Sequence, residues 1–260
     1  MNPALARTSA AGIDLLVGID DTDNLDTRGT GYRARTLARG LADAGLAEMR
    51  GITRHQLLVD PRIPYTSHNS SACLQLAARA SEDEIETYCR EFLLEVAAVG
   101  ADVGLCVATP DAAAHVVDYA LSAQREVLDR ERARATAAAA GIRLTGLTGT
   151  HGGIIGALAG VGLFMQGDDG RYLWLKRLRE LGGGVHEVGA LRAQTGLDAV
   201  RTFNGDTAGD CLPDTARVTL GEWARPVRVA GLSVLLVENT TDGSHDYVVA
   251  DKQRIKRFRP

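Results

Sequence analysis

The chain is poor in cysteine, aromatics, long apolar runs and excess charge, and each shortage excludes something. Its four cysteines, Cys73, Cys89, Cys106 and Cys211, include no C-x-x-C pair. That spacing rules out the usual structural zinc site and leaves buried, reduced thiols as the expectation. No apolar run reaches the length that spans a bilayer, about 18 residues or more. The first twenty residues, with one Arg and an apolar stretch broken by Thr8, Ser9 and Asp14, make a poor signal peptide. A cytoplasmic protein without membrane contact is expected. Net charge is only −4, unlike a protein whose whole surface grips nucleic acid. Aromatics make up 5% of the chain, and no repeat of fixed period stands out.

What is present suffices for a sizeable core. A chain of 260 residues with 45% hydrophobic residues has the composition of a soluble globular protein. Residues 1–12 read as a disordered lead. Ile13 to Ile19 suit a buried strand, and Leu37 and Leu41 mark a helix from about Tyr32, with Thr30 placed as its N-cap. Two further strands follow, around "QLLV" and "ACLQLAAR". Ser81 and Glu84 form a capping box ahead of a helix. "DVGLCVAT" is a fourth strand, and Thr109-Pro110 opens an Ala-rich helix expected to run to about Ala140. "RYLWLKRL" is open between strand and helix, residues 181–214 read as loop-rich, and the segments from Ala216 onward read as β-rich. The fold class is α/β (α+β), with a soft boundary near Gly167–Gly170.

Two stretches carry chemistry. "GIDDTD" crowds Asp20, Asp21 and Asp23 at the end of the first strand. Carboxylates that close repel one another, and Mg²⁺ held by carboxylates and substrate phosphates would cancel the repulsion. The other reading is an acidic surface turn bonded to its own backbone. "TGTHGGIIG" places Gly149, His151, Gly152, Gly153 and Gly156 around the start of a small-residue helix. Backbone N–H groups there suit an anion; alternatively the glycines serve close strand–helix packing. Taken together, the two stretches favour a nucleotide phosphate site with metal. His68 and Asn69 lie in a polar loop and read either as phosphate contacts or as turn residues. Arg54, Arg62 and His55 are secondary candidates, and the basic tail Lys252–Arg259 reads as an RNA contact or a solvated end.

Three stretches in combination, "GIDDTD…GTGY", "DPRIPYTSHNSSA" and "GGIIGALAGVG", resemble the archaeal tRNA(Ile) 2-agmatinylcytidine synthetase family. The resemblance implies a kinase-like domain that binds ATP and Mg²⁺, over residues 13–167, and a ferredoxin-like subdomain over 168–260. It matches Asp20, Asp21 and Asp23 to metal-contacting residues and Gly152, Gly153 and Gly156 to the glycine loop. It makes Thr30 a residue that receives phosphate, and Asp21 is expected to be catalytic with it. The family's OB-fold and zinc ribbon have no counterpart here. Thr66 and His68 stand where the family has basic residues, and Gly29 and Gly31 where it has Cys and Thr. The implied function is an ATP/Mg²⁺-dependent phosphotransferase whose acceptor, RNA or a small molecule, is left open. Its alternatives are a non-catalytic nucleotide-binding module serving a protein partner and a Mg²⁺-dependent phosphohydrolase. Asp21-Thr22-Asp23 also resembles the haloacid-dehalogenase phosphatase signature, with Leu25 where that family has Thr or Val.

Overall fold

The computed structural model describes residues 12–63, 69–205, 207–221, 224–240 and 246–258. His68, the Pro64–Tyr65 segment and the expected disordered lead up to residue 11 lie outside the described residues. The chain divides into two compact units, Met1–Gln166 and Gly167–Pro260.

The first unit begins β1 (Leu15–Asp20), α1 (Thr30–Asp43), β2 (Ala47–Gln56), β3 (Ser70–Ala78), α2 (Glu82–Val96), β4 (Gly104–Ala108). Its sheet runs in the order β4-β1-β3-β2, with every ladder antiparallel. This βαββαβ order is the ferredoxin-like split βαβ. β5 (Arg143–Gly146) adds an antiparallel edge beyond β4. The antiparallel pairing matters for function. It lays the end of β1 beside the start of β4, with Asp20 opposite Gly104. α1 buries Ala34, Leu37, Ala38 and Leu41, an i, i+3, i+4, i+7 stripe. In α2, Ser81 and Glu84 make the expected capping box, and Ile85, Cys89 and Leu93 are buried.

The Ala-rich segment is not one helix. It breaks into α3 (Pro110–Ala114), α4 (Val117–Ser122) and α5 (Arg130–Ala139). Alanine propensity favours continuity, but Asp129 starts a new helix by accepting a hydrogen bond from the Arg132 N–H, and Ala113, Val116, Tyr119 and Ala120 turn into the core. α6 (Ile154–Gln166) lies in the same core, buried along nearly its whole length. Such a helix is apolar all round rather than amphipathic. It approaches β1 at Gly18, where a Cβ would stand 2.1 Å from the Ala157 carbonyl oxygen. Only glycine allows that contact. Cys73, Cys89 and Cys106 are buried thiols and Cys211 is exposed.

The second unit contains β6 (Arg171–Trp174), β7 (Gly184–Glu187), α7 (Val188–Thr195), β8 (Ala199–Phe203), β9 (Ala208–Cys211), β10 (Arg217–Leu220), β11 (Val227–Val229), β12 (Leu232–Asn239), β13 (Tyr247–Val249) and α8 (Lys252–Arg257). β12 is central. It pairs parallel with β8 and antiparallel with β11 and β13, and β10 runs parallel to β13. The unit is therefore mixed α/β, and its strand order is not βαββαβ. The ferredoxin-like order lies in Leu15–Ala108 rather than in 168–260, where the resemblance places it. "RYLW" is a strand, and the segment expected to be loop-rich holds β7, α7, β8 and β9. These elements are short and set between glycines, so little periodicity marks them. Among the described residues no helix is long and apolar enough to cross a membrane.

Candidate functional site

Asp20 is the last residue of β1, and its carboxylate lies against the α6 backbone. A Cβ on Gly156 would fall 1.7 Å from Asp20 Oδ2. The glycine that reads as part of an anion loop is thus required here by a carboxylate. Gly153 likewise permits a close approach: its N–H donates to the Asp102 carbonyl at 2.8 Å. Asp21 leaves the strand with φ of +51°, a left-handed conformation that Asp tolerates better than most residues.

The carboxylates are electrostatically strained. Burial pushes Asp20 up to about 7, reinforced by the charges of Asp21 and Asp23; the Asp21 N–H and Arg54 oppose the shift. Burial and the Asp102 charge push Asp21 up to about 6, against a hydrogen bond from the Asp102 N–H. Arg54, whose Nε donates to Ser70 Oγ at 2.8 Å, is lowered by burial, which Asp20 and Asp23 counter. Burial thus disfavours the charged form of both carboxyls, and a bound cation would favour it.

Asp23 has a different task. Its Oδ1 accepts the Thr30 N–H at 2.9 Å and the Thr30 hydroxyl at 2.7 Å. The buried Thr22 hydroxyl donates to Thr30 Oγ1 at 3.1 Å. Thr30 is therefore not the N-cap. Gly29 holds that position without a side-chain bond, and Asp23 satisfies the orphan donor of α1 from seven residues upstream. The Thr30 hydroxyl is left between a carboxylate acceptor and a hydroxyl donor.

Asp102, which sequence reasoning missed, is the fourth acid of the site. Its carboxylate accepts the Thr150 N–H at 2.6 Å and also the Thr150 hydroxyl. A Cβ on Gly149 would meet Asp102 Oδ1 at 1.7 Å, and one on Gly152 would meet Oδ2 at 3.2 Å. Gly149 has φ of +57° and His151 of +67°. The glycine loop is thus folded over a carboxylate of the protein itself. On its outer side, Arg130 donates to the Thr150 carbonyl and Arg134 Nη2 stands 3.4 Å from His151 Nδ1.

Other predicted residues stand apart. Asn69 ties the β2–β3 connection, its Nδ2 donating to the Leu58 carbonyl at 2.7 Å. Arg62 pairs with Asp60 at 2.8 Å. His55 is buried within β2, 2.8 Å from Thr53 Oγ1. Among the described residues no three His, Cys, Asp or Glu side chains are grouped to hold a metal ion. Asp23 and Asp102 are committed to threonines, which leaves Asp20 and Asp21. Two carboxylates fit Mg²⁺, which commonly takes one or two and completes its shell with phosphate oxygens and water.

No protein-family model matches the chain, and no curated protein does. Solved structures do. A crystal structure of TiaS in complex with an isoleucine tRNA and ATP matches with 25% identity and a TM-score of 0.52, over 58% of this chain and 36% of that one. A tRNA fluorescent labeling enzyme gives the same values, 25% identity and a TM-score of 0.52 over 58% and 36%. Apo TiaS, an agmatidine synthetase for an isoleucine tRNA, matches with 24% identity and a TM-score of 0.51, over 58% and 35%. The chain therefore resembles part of TiaS, an enzyme crystallised with tRNA and ATP, and spans well under half the length of that protein.

Proposed function

We propose that this protein is an ATP-dependent phosphotransferase in which Thr30 receives the phosphoryl group. One observation carries the reading: the Thr30 hydroxyl is held between Asp23 and Thr22, and the charge of Asp23 acts on both Asp20 and Asp21. In the transfer, Thr30 Oγ forms a bond to the terminal phosphorus of ATP, the bond from that phosphorus to the bridging oxygen breaks, and ADP departs. Asp23 Oδ1 takes the hydroxyl proton. Asp20 and Asp21 would hold Mg²⁺, which neutralises charge on the phosphate oxygens. Phosphoryl transfer depends chiefly on positioning and charge neutralisation, and the site offers both. Likeness to part of an enzyme crystallised with ATP and tRNA supports the nucleotide and makes RNA a candidate acceptor beside small molecules.

A second reading is a nucleotide-binding module serving a partner protein. Asp102 favours it, because its carboxylate fills the inner face of the loop meant for phosphate. Intact-protein mass after incubation with ATP and Mg²⁺, run beside Thr30→Ala, separates the two. A phosphate-sized gain that vanishes in the variant supports transfer through Thr30. Nucleotide binding without any gain supports the module. Hydrolysis of phosphomonoesters without nucleotide would instead indicate a phosphohydrolase.

A further inference from the structure

Four arginines surround the glycine loop and its neighbouring strand, and they divide into two kinds. Arg132 is paired with Glu126 at 3.0 Å, and Arg143 with Glu86 at 3.0 Å and with Asp83. Arg130 and Arg134 have no carboxylate partner among the described residues. They lie at i and i+4 on α5, on one helix face, and both reach the glycine loop, at the Thr150 carbonyl and the His151 ring. An unneutralised guanidinium pair on one loop has a Coulombic cost that a bound anion would remove. The loop's inner face offers no seat for such an anion, since Asp102 already occupies it.

The polar groups of the outer rim that those two contacts leave open are donors. A guanidinium has no acceptor, so the contact with Arg134 makes His151 Nδ1 the acceptor and puts the ring proton on Nε2. Both arginines are exposed on α5, with most of their N–H groups uncommitted. We infer that Arg130, Arg134 and His151 form a phosphate-binding site on the outer rim of the glycine loop. This rests on the reading of that loop as the phosphate end of the proposed transfer site, and it moves the seat of the phosphate from the inner face to the rim. The fork geometry of paired arginines suits the oxygens of a phosphate group. The source is either the polyphosphate of a nucleotide or a phosphodiester of RNA.

Calorimetric titration of the full chain with inorganic pyrophosphate, without added metal, tests the site. The double variant Arg130→Ala/Arg134→Ala should bind about tenfold more weakly or worse, as expected for two charge-assisted contacts. The double Lys variant should recover part of the loss. Arg132→Ala removes a neighbouring charge that is already paired, and should bind like wild type. Displacement of pyrophosphate by ATP would identify the nucleotide as the source, and displacement by a short oligoribonucleotide would identify RNA. Displacement by neither overturns the site, as does an equal loss in Arg132→Ala or a wild type that ignores millimolar pyrophosphate. Pyrophosphate bound through the arginines, with no mass gain at Thr30, would keep the site and end the phosphotransfer reading.

Discussion

At one end of the site Asp23 takes the N–H and hydroxyl of Thr30; at the other, Asp102 takes the N–H and hydroxyl of Thr150. The two clamps use the same chemistry but differ in what surrounds them. Thr30 is half-buried at the first position of a 14-residue helix, with a second hydroxyl donating to it from the buried Thr22. Thr150 is exposed in a loop whose neighbours include left-handed Gly149 and His151. One clamp presents a hydroxyl to a carboxylate whose charge acts on Asp20 and Asp21. The other fixes a loop, since Asp102 also donates its N–H to Asp21 and accepts from Gly153. Asp23 takes both donors on one oxygen and Asp102 divides them between two; in the proposed transfer the first clamp would be the reactive pair and the second a frame.

The largest effect expected is on phosphate uptake. Asp23→Ala removes the acceptor for the Thr30 proton and should slow uptake by about 10²–10⁴-fold, the usual contribution of a general base. It should also destabilise the fold by about 1 kcal/mol, as does loss of a cap. Asp102→Ala should leave the rate at saturating ATP nearly intact and weaken nucleotide affinity, because it loosens the glycine loop and reaches the transfer end only through its charge on Asp21. Single-turnover rates followed by intact mass, across ATP concentrations, check both. Equal rate losses in the two variants would erase the distinction between the clamps.

Next in size is pH. Asp20 at about 7 and Asp21 at about 6 are raised above their ordinary values by burial. Between the unfolded and folded pKa the native state binds more protons than the unfolded chain, so stability falls as pH rises. For this pair the fall spans the interval from about 4 to 7. Thermal melts should show that slope in wild type and a shallower one in Asp20→Asn, which should melt higher than wild type at about pH 8. Added Mg²⁺ should raise the wild-type melting temperature at that pH but leave Asp20→Asn nearly unmoved. Melts insensitive to Mg²⁺ in both proteins would remove the cation from the site.

A smaller effect concerns coupling within each clamp. A double-mutant cycle of Asp23→Ala with Thr30→Ala, and one of Asp102→Ala with Thr150→Ala, should each return roughly 0.5–3 kcal/mol of interaction in chemical melts. The Asp23 cycle should be the larger, since its threonine is less exposed and water screens it less. The reverse order would make the glycine-loop clamp the main structural tie of the site.

The two clamps also differ in how far the sequence reveals them. Asp23 and Thr30 are separated by seven positions, and the acidic turn is conspicuous between an apolar strand and a helix. Even so, the sequence points to Thr30 as the cap, whereas Gly29 takes that position and the capping oxygen comes from outside the first turn. The Ser81–Glu84 box is legible because both partners lie within one turn. Asp102 and Thr150 are 48 positions apart, and only the antiparallel β1–β4 ladder brings Asp102 to Asp21. A reading that opens the fourth strand at Asp102, in "DVGLCVAT", has no reason to join that residue to the acidic turn. The breaks at Val116 and Asp129 in the Ala-rich segment are hidden by uniform helix propensity. In the second unit, three-residue strands such as β11 and β13 are too brief for a period of two to register.

The smallest effect, and the one that divides position from chemistry, belongs to Thr22. Its hydroxyl is buried and donates to Thr30 Oγ1 at 3.1 Å. That bond has two opposed consequences for Thr30. It fixes the rotamer that keeps the hydroxyl on Asp23, which favours transfer. It also draws on an oxygen lone pair, which weakens the nucleophile. Thr22→Val keeps the shape and removes the bond, at a cost of about 0.5–1.5 kcal/mol in stability. Because the two consequences oppose, the rate of phosphate uptake should change by less than about tenfold, against the far larger loss in Asp23→Ala. If Thr22→Val instead slowed uptake as much as Asp23→Ala, holding the hydroxyl in place would outweigh removing its proton. Thr22 would then be the main positioning residue of the clamp, and Asp23 would resemble Asp102 in being chiefly a tie.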